Sequence, residues 1–174
     1  MAEKLIRMIG DPVLRQVCKP VPAITPNIIK LLNDLADTIH SGDNRAGLAA
    51  PQIGIAKRVA VVDYGTGLIE LINPVIVERS GEQSGAEGCL SIPGVYGIVQ
   101  RAQYVKVQTL NRAGEVTFVE GSDNVAVCLQ HEIDHLDGVL YIDHVKKGNL
   151  FNEHNDKPID VLKMIRLSRS SEGQ

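Results

Sequence analysis

The sequence predicts an α+β fold: short antiparallel β-sheets packed around a central helix that carries a His-Glu-x-x-His motif, with an N-terminal and a C-terminal helix. Three observations lead there. An amphipathic segment near the start has helical spacing, and the middle breaks into short β-type runs divided by turns. A capped, apolar segment then follows the strands instead of alternating with them, which argues against β-α-β units.

The first helix is announced by Thr25-Pro26, an N-cap followed by proline at the first helical position, with Ile24 and Ile29 placed as a hydrophobic staple. Ile28, Leu32, Leu35, Ala36 and Ile39 then share one face, and Ser41-Gly42 stops the run. Strands are expected at 58–63, 68–72, 75–79, 95–99, 104–110 and 116–120. Val105, Val107 and Thr109 alternate onto one side, and Asn111-Arg-Ala-Gly114 is the turn that follows. Residues 65–67 and 80–85 read as loops. A second helix should begin near Ser122-Asp123-Asn124, run to about Leu136 and stop at Gly138. Residues 149–157 are polar and loop-like, Pro158 should open a last helix to about Leu167, and 168–174 should fray.

The 174 residues suit one domain, 1–174, in which 155–174 form the last helix and tail. Apolar residues at 44% and charged residues at 22% exclude disorder and coiled coil as the main state. A net charge of −3 attracts neither phosphate backbones nor anionic lipid. With no Trp, two Phe and four Tyr there is no stacking platform, so direct nucleic-acid binding is not expected. No apolar run approaches the ~20 residues of a membrane span. The start has no basic segment leading into an apolar one, and three cysteines cannot make a disulfide framework. A cytoplasmic monomer is the expectation.

The chemistry centres on His131-Glu-Ile-Asp-His135. Two His four apart on a helix face can reach one metal ion, and Glu132 beside them can take a proton from water without being a ligand. A surface helix with two His and several acids is the plain alternative. The uncharged run Val125-Ala-Val-Cys-Leu129 before the pair argues for burial, where unpaired imidazoles are costly. Catalytic sites of this kind use three protein ligands. Tyr141 stands where one class of metalloprotease has a third His, and Glu153 and Glu172, the downstream acids, lie in polar segments. Cys89, between Gly88 and Pro93, is the better third donor, since a thiolate binds first-row divalent metals strongly. Cys18 and Cys128 read as packing residues.

Gly47-Leu-Ala-Ala-Pro-Gln52-Ile-Gly54, Glu87-Gly-Cys-Leu-Ser91 and Gln130-His-Glu-Ile-Asp-His135 resemble, in order and spacing, the three signature motifs of the peptide deformylases, over roughly residues 4–145. The resemblance implies Cys89, His131 and His135 as ligands of one divalent metal, Fe²⁺ in the cell, with Zn²⁺, Ni²⁺ or Co²⁺ able to replace it. It implies Glu132 as general base and acid, and Gln52 (side-chain amide) and Leu90 (backbone N–H) as donors to a formyl oxygen. Gly47 and Gly88 would border a groove for an extended peptide, and Glu87 and Arg101 would brace the Cys segment. The implied partners are N-formyl-methionyl nascent polypeptides, met at the ribosome. Arg45 departs from the family, which usually has Gly there, and is expected at the mouth of the groove where it would act on the incoming peptide. Tyr96 stands where some members have Arg. The competing readings are a metallopeptidase cutting ordinary peptide bonds and a catalytically dead binding protein.

Overall fold

The computed structural model describes residues 3–169. Among them are three α-helices and three small antiparallel sheets, each of three strands. Helix α1 is Pro26–His40, capped by the Thr25 hydroxyl, which accepts from the Ile28 N–H. Strands β1 (Gly47–Ala49), β2 (Val59–Val62) and β3 (Ile69–Ile72) form the first sheet in that order. Strand β2 is buried on both faces. Val59 and Val61 pack with Ile28, Leu32, Leu35 and Ile39 of α1, whereas Ala60 and Val62 pack into the cluster that holds Ala126, Leu129, Ile133 and Leu136. Those four lie on α2 (Asp123–Leu136), the helix that contains His131 through His135. The first sheet is thus a slab with a helix on each side, because strict alternation in β2 serves two cores.

The second sheet pairs β4 (Val75–Ser80), β7 (Tyr104–Leu110) and β8 (Val116–Ser122), and α2 packs on β7 and β8. Val105, Val107 and Thr109 of β7 all point inward, as their alternation requires. The third sheet has β6 (Ile92–Arg101) between β5 (Gln83–Cys89) and β9 (Leu150–Asn152). Here the register jumps: Glu87 pairs with Gly97, but Cys89 pairs with Ile92. Pro93 to Tyr96 therefore face Gly88 alone, and Val95–Gly97 pair with β9, a break of the kind that re-aims side chains next to sites.

Helix α2 ends at Gly138, whose φ of +70° belongs to glycine and where a Cβ would lie 2.5 Å from the Arg15 carbonyl oxygen. Several boundaries differ from those the sequence suggested. Residues 83–85 are strand and not loop, because they pair with Val99–Arg101. Residues 150–152 are strand, because Leu150 is buried beneath Gly97 and both ends of the segment hydrogen-bond to β6 and its turn. The last helix, α3 (Val161–Ser168), starts after Pro158, since the Asp160 carboxylate caps it by accepting from the Leu162 and Lys163 N–H groups. Ser168 does not fray: it is buried and its Oγ accepts from the Arg15 guanidinium at 2.7 Å. The rest of the expected tail, 170–174, lies outside the described residues. No helix among them is long and apolar enough to cross a membrane.

Candidate active site

Helix α2 buries His131, Glu132 and His135, and the end of β5 brings Cys89 to them. The Cys89 Sγ lies 3.5 Å from His135 Nε2, and one ligand atom from each of Cys89, His131 and His135 falls within 4.8 Å of the other two. No other such group of three occurs among the described residues. Each imidazole is set by its surroundings. His131 Nδ1 donates to Glu87 Oε1 at 2.9 Å; against burial, its bonds to Cys89 and Glu87 raise its pKa well above the usual value, so a metal would bind Nε2 by displacing a proton. Burial and the neighbouring His131 push the His135 pKa well below the usual value, so this ring is neutral, as a ligand must be. One sulfur and two imidazole nitrogens within 4.8 Å of one another fit a first-row divalent ion, which a cysteine would bind as its thiolate.

Glu132 is 4% exposed, and its Oε1 also has no hydrogen-bond partner. Burial, with Glu87 and Asp134 nearby, raises its carboxyl to about 7 despite the opposing His131 and Arg101 charges. Gln52 is held from three sides. Its Oε1 accepts from the Ala49 N–H at 3.0 Å, while its Nε2 donates to Ser91 Oγ at 3.1 Å and points at Cys89 Sγ at 3.5 Å. The N-terminal segment fixes the backbones, since the Arg7 N–H donates to the Gln52 carbonyl and the Ile9 N–H to that of Ser91. Gln52, Cys89, His131 and Glu132 line a cleft of about 600 Å³, while His135 is buried and does not line it. One wall runs from Asp43 to Gly47, the other from Leu90 through Ile92–Val95, and α2 is the floor with Cys128, His131 and Glu132.

The polypeptide deformylase family model matches residues 3–150. A peptide deformylase of Desulfitobacterium hafniense is 54% identical over 147 residues, covering 84% of this chain and 97% of its own length. One of Caldanaerobacter subterraneus is 56% identical over 145 residues, 83% of this chain and 91% of its own. The crystal structure of the Thermotoga maritima peptide deformylase superposes with a TM-score of 0.80 at 39% identity, covering 84% of this chain and 99% of that one. The chain belongs to this family, and is an enzyme of it. The Legionella pneumophila member superposes over 99% of this chain and 96% of its own, with a TM-score of 0.81 at 35% identity, so the likeness extends to the C-terminal segment.

Against that family background the remaining residues fall into place. Leu90, Gly47 and Gly88 all line the cleft. A Cβ on Gly88 would meet only the Val95 carbonyl oxygen at 3.6 Å, so the fold itself does not require glycine there. Arg45 lines the mouth, but its guanidinium turns back across Gly42 and donates to the Thr38 carbonyl at 2.6 Å and to Ser41 Oγ at 3.1 Å, at the end of α1. Tyr141 stacks on His131, with ring centroids 6.0 Å apart, and donates to the Val95 carbonyl from within the core, so it packs against the His131 ring. Glu153 lines the rim without joining the metal-type group, and Glu172 lies outside the described residues. Tyr96 donates to Asp156 and stacks on Phe151. Cys128 is not a plain core residue, because it lines the cleft.

The Glu87–Arg101 pair is no surface ion pair either. Both residues are 7% exposed, and Arg101 Nε and Nη2 each hold one Glu87 oxygen at 2.9 Å. Burial raises the Glu87 carboxyl, but Arg101 and His131 overcome it and hold it at about 2. Removing one partner of such a pair typically costs about 3–5 kcal/mol. Sequence reasoning missed Ser91, which holds Gln52, and Asp134, which holds Arg101 Nη1 at 2.6 Å. Asp134 had a signal: it sits three residues after His131, on the helix face that looks toward β6.

Proposed function

We propose that this chain hydrolyses the N-formyl amide of formyl-methionine at the start of newly made polypeptides, releasing formate and a free α-amino terminus. What carries the proposal is the Cys89/His131/His135 donor set beside a buried Glu132 whose Oε1 has no hydrogen-bond partner among the described residues, with Cys89, His131 and Glu132 lining one cleft. A divalent ion held by those three donors, Fe²⁺ in the cell and replaceable by Zn²⁺, Ni²⁺ or Co²⁺, supplies a Lewis acid and makes water a stronger acid.

Glu132 accepts a proton from the attacking water and returns it to the departing amine. As the formyl carbon becomes tetrahedral, negative charge grows on its oxygen. The Gln52 amide, which lies 3.5 Å from Cys89 Sγ, and the Leu90 N–H at the cleft wall donate to that oxygen, each worth about 3–4 kcal/mol where such donors have been removed elsewhere. Strand β1 is an edge of its sheet, so the peptide extends along Gly47 while Gly88 leaves room on the other wall. Arg45 contributes at the mouth by fixing the loop that carries Gly47. The chain works in the cytoplasm as a monomer, on chains emerging from the ribosome.

Formate release from a formyl-Met tripeptide tests this. Wild type should release formate and leave acetylated and internal peptide bonds intact, and Glu132→Gln should be roughly 10²–10⁴-fold slower. Cleavage of internal bonds would favour a metallopeptidase instead.

A further inference from the structure

The residue behind His131 is the first of a longer series. Glu87 Oε1 accepts from both His131 Nδ1 and Arg101 Nη2. The third Arg101 nitrogen, Nη1, donates to Asp134 Oδ2, and the same oxygen accepts from His144 Nε2 at 2.9 Å. Five side chains from β5, β6, α2 and the turn at Tyr141–His144 thus form one hydrogen-bonded line. It starts at the cleft and ends at a second cavity lined by Arg79, Arg101, Asp134, Asp137 and His144, where the His144 side chain is 40% exposed.

Each junction constrains the next. The three nitrogens of a planar guanidinium cannot be re-aimed independently, so whatever fixes Nη1 also fixes the fork that grips Glu87. Asp134 is the pivot, and among the described residues two donors hold its Oδ2: Arg101 from inside and His144 from outside. Both bonds end on the same carboxylate oxygen, at 2.6 Å from Arg101 and 2.9 Å from His144. In this bond the His144 hydrogen sits on Nε2 and the carboxylate oxygen accepts it. Without that donor Asp134 is free to turn toward the second cavity and Arg101 to follow it.

We infer that His144 is a positioning residue for metal binding, holding the His131 ring in its ligating pose through Asp134, Arg101 and Glu87. The inference rests on the metal reading above and extends it to a surface residue far outside the cleft. Partners of ligating His residues typically govern metal affinity by 10–100-fold. His144 stands three side chains further out than Glu87, which puts its share near the lower end.

The test is Co²⁺ affinity, measured by competition with a chromogenic chelator, on metal-free wild type, His144→Ala, His144→Gln and His131→Ala. Wild type should bind one Co²⁺ and His131→Ala should not. His144→Ala should raise the Co²⁺ Kd about 5- to 10-fold and shift the cobalt–thiolate absorption. His144→Gln, whose amide can still donate to Asp134, should stay within about 2-fold of wild type. Equal Kd values for wild type and His144→Ala, or equal weakening in the Ala and Gln variants, would overturn the inference while leaving the metal site standing. A wild type that binds no Co²⁺ would overturn both.

Discussion

A Cβ added to Gly47 would lie 2.6 Å from Glu132 Oε2 and 2.9 Å from its Cγ and Cδ. The edge of the first sheet therefore presses directly on the carboxylate proposed to move the proton. Glycine stands here because anything larger meets a side chain that is itself 4% exposed and cannot step aside without losing its aim.

Gly47→Ala should thus act on catalysis more than on folding. Displacing Glu132 by part of an ångström should cut kcat on a formyl-Met peptide about 10- to 100-fold. Overpacking should cost about 1–3 kcal/mol of stability. Formate-release kinetics beside urea denaturation checks both, and unchanged kcat would mean that Glu132 is not held where the structure has it.

Glu132 also leaves a pH signature in the metal-free protein. Its carboxyl is raised from an ordinary 4.5 to about 7 in the fold, mainly by burial. As pH rises, the unfolded chain gives up this proton first, so the folded state holds the extra proton between the two values. Stability from this group is present below about 4.5 and is lost up to about 7. Glu132→Gln has no such proton to lose. Between pH 5 and 8 metal-free wild type should lose roughly 2–3 kcal/mol relative to Glu132→Gln, read from urea melts at the two pH values. A parallel pH response in the two proteins would show that Glu132 is not buried as an acid.

Arg45 should prove a residue of stability. Its guanidinium satisfies the Thr38 carbonyl in the last turn of α1 and lies 3.8 Å from the Glu3 carboxylate. A cation there complements the helix terminus. Arg45→Ala should cost about 0.5–1.5 kcal/mol and leave kcat/KM for neutral formyl peptides within a few-fold. A larger change between acidic and basic peptides than in stability would return the charge to the cleft.

What the sequence revealed follows the range of the interactions. The Thr25 cap, the inward face of β7 and the His131–His135 spacing are settled within a turn or a strand, and the structure has them as read. Gly138 ends α2 for a local reason too, its positive φ. Strand β9 was illegible because its three residues become a strand only when Val95–Gly97 swing out to meet them, more than fifty positions earlier in the chain. Ser91 was illegible as a support because it acts on Gln52 from another element, and Asp134, though its helix spacing was a signal, acts on Arg101, a partner the spacing does not name. The direction of Arg45 depended on a rotamer choice between the cleft and a helix end four residues back. No pattern in the sequence encodes that choice.

The central claim is that one thiolate and two imidazoles from β5 and α2 form a single metal centre. Metal content and formate release of Cys89→Ala, measured together beside Cys18→Ala on protein purified without oxygen, test it most directly. Two imidazoles alone are an incomplete site, so Cys89→Ala should lose its stoichiometric metal and its formate release together, while Cys18→Ala keeps both. One equivalent of tightly bound metal and wild-type turnover in Cys89→Ala would contradict the account.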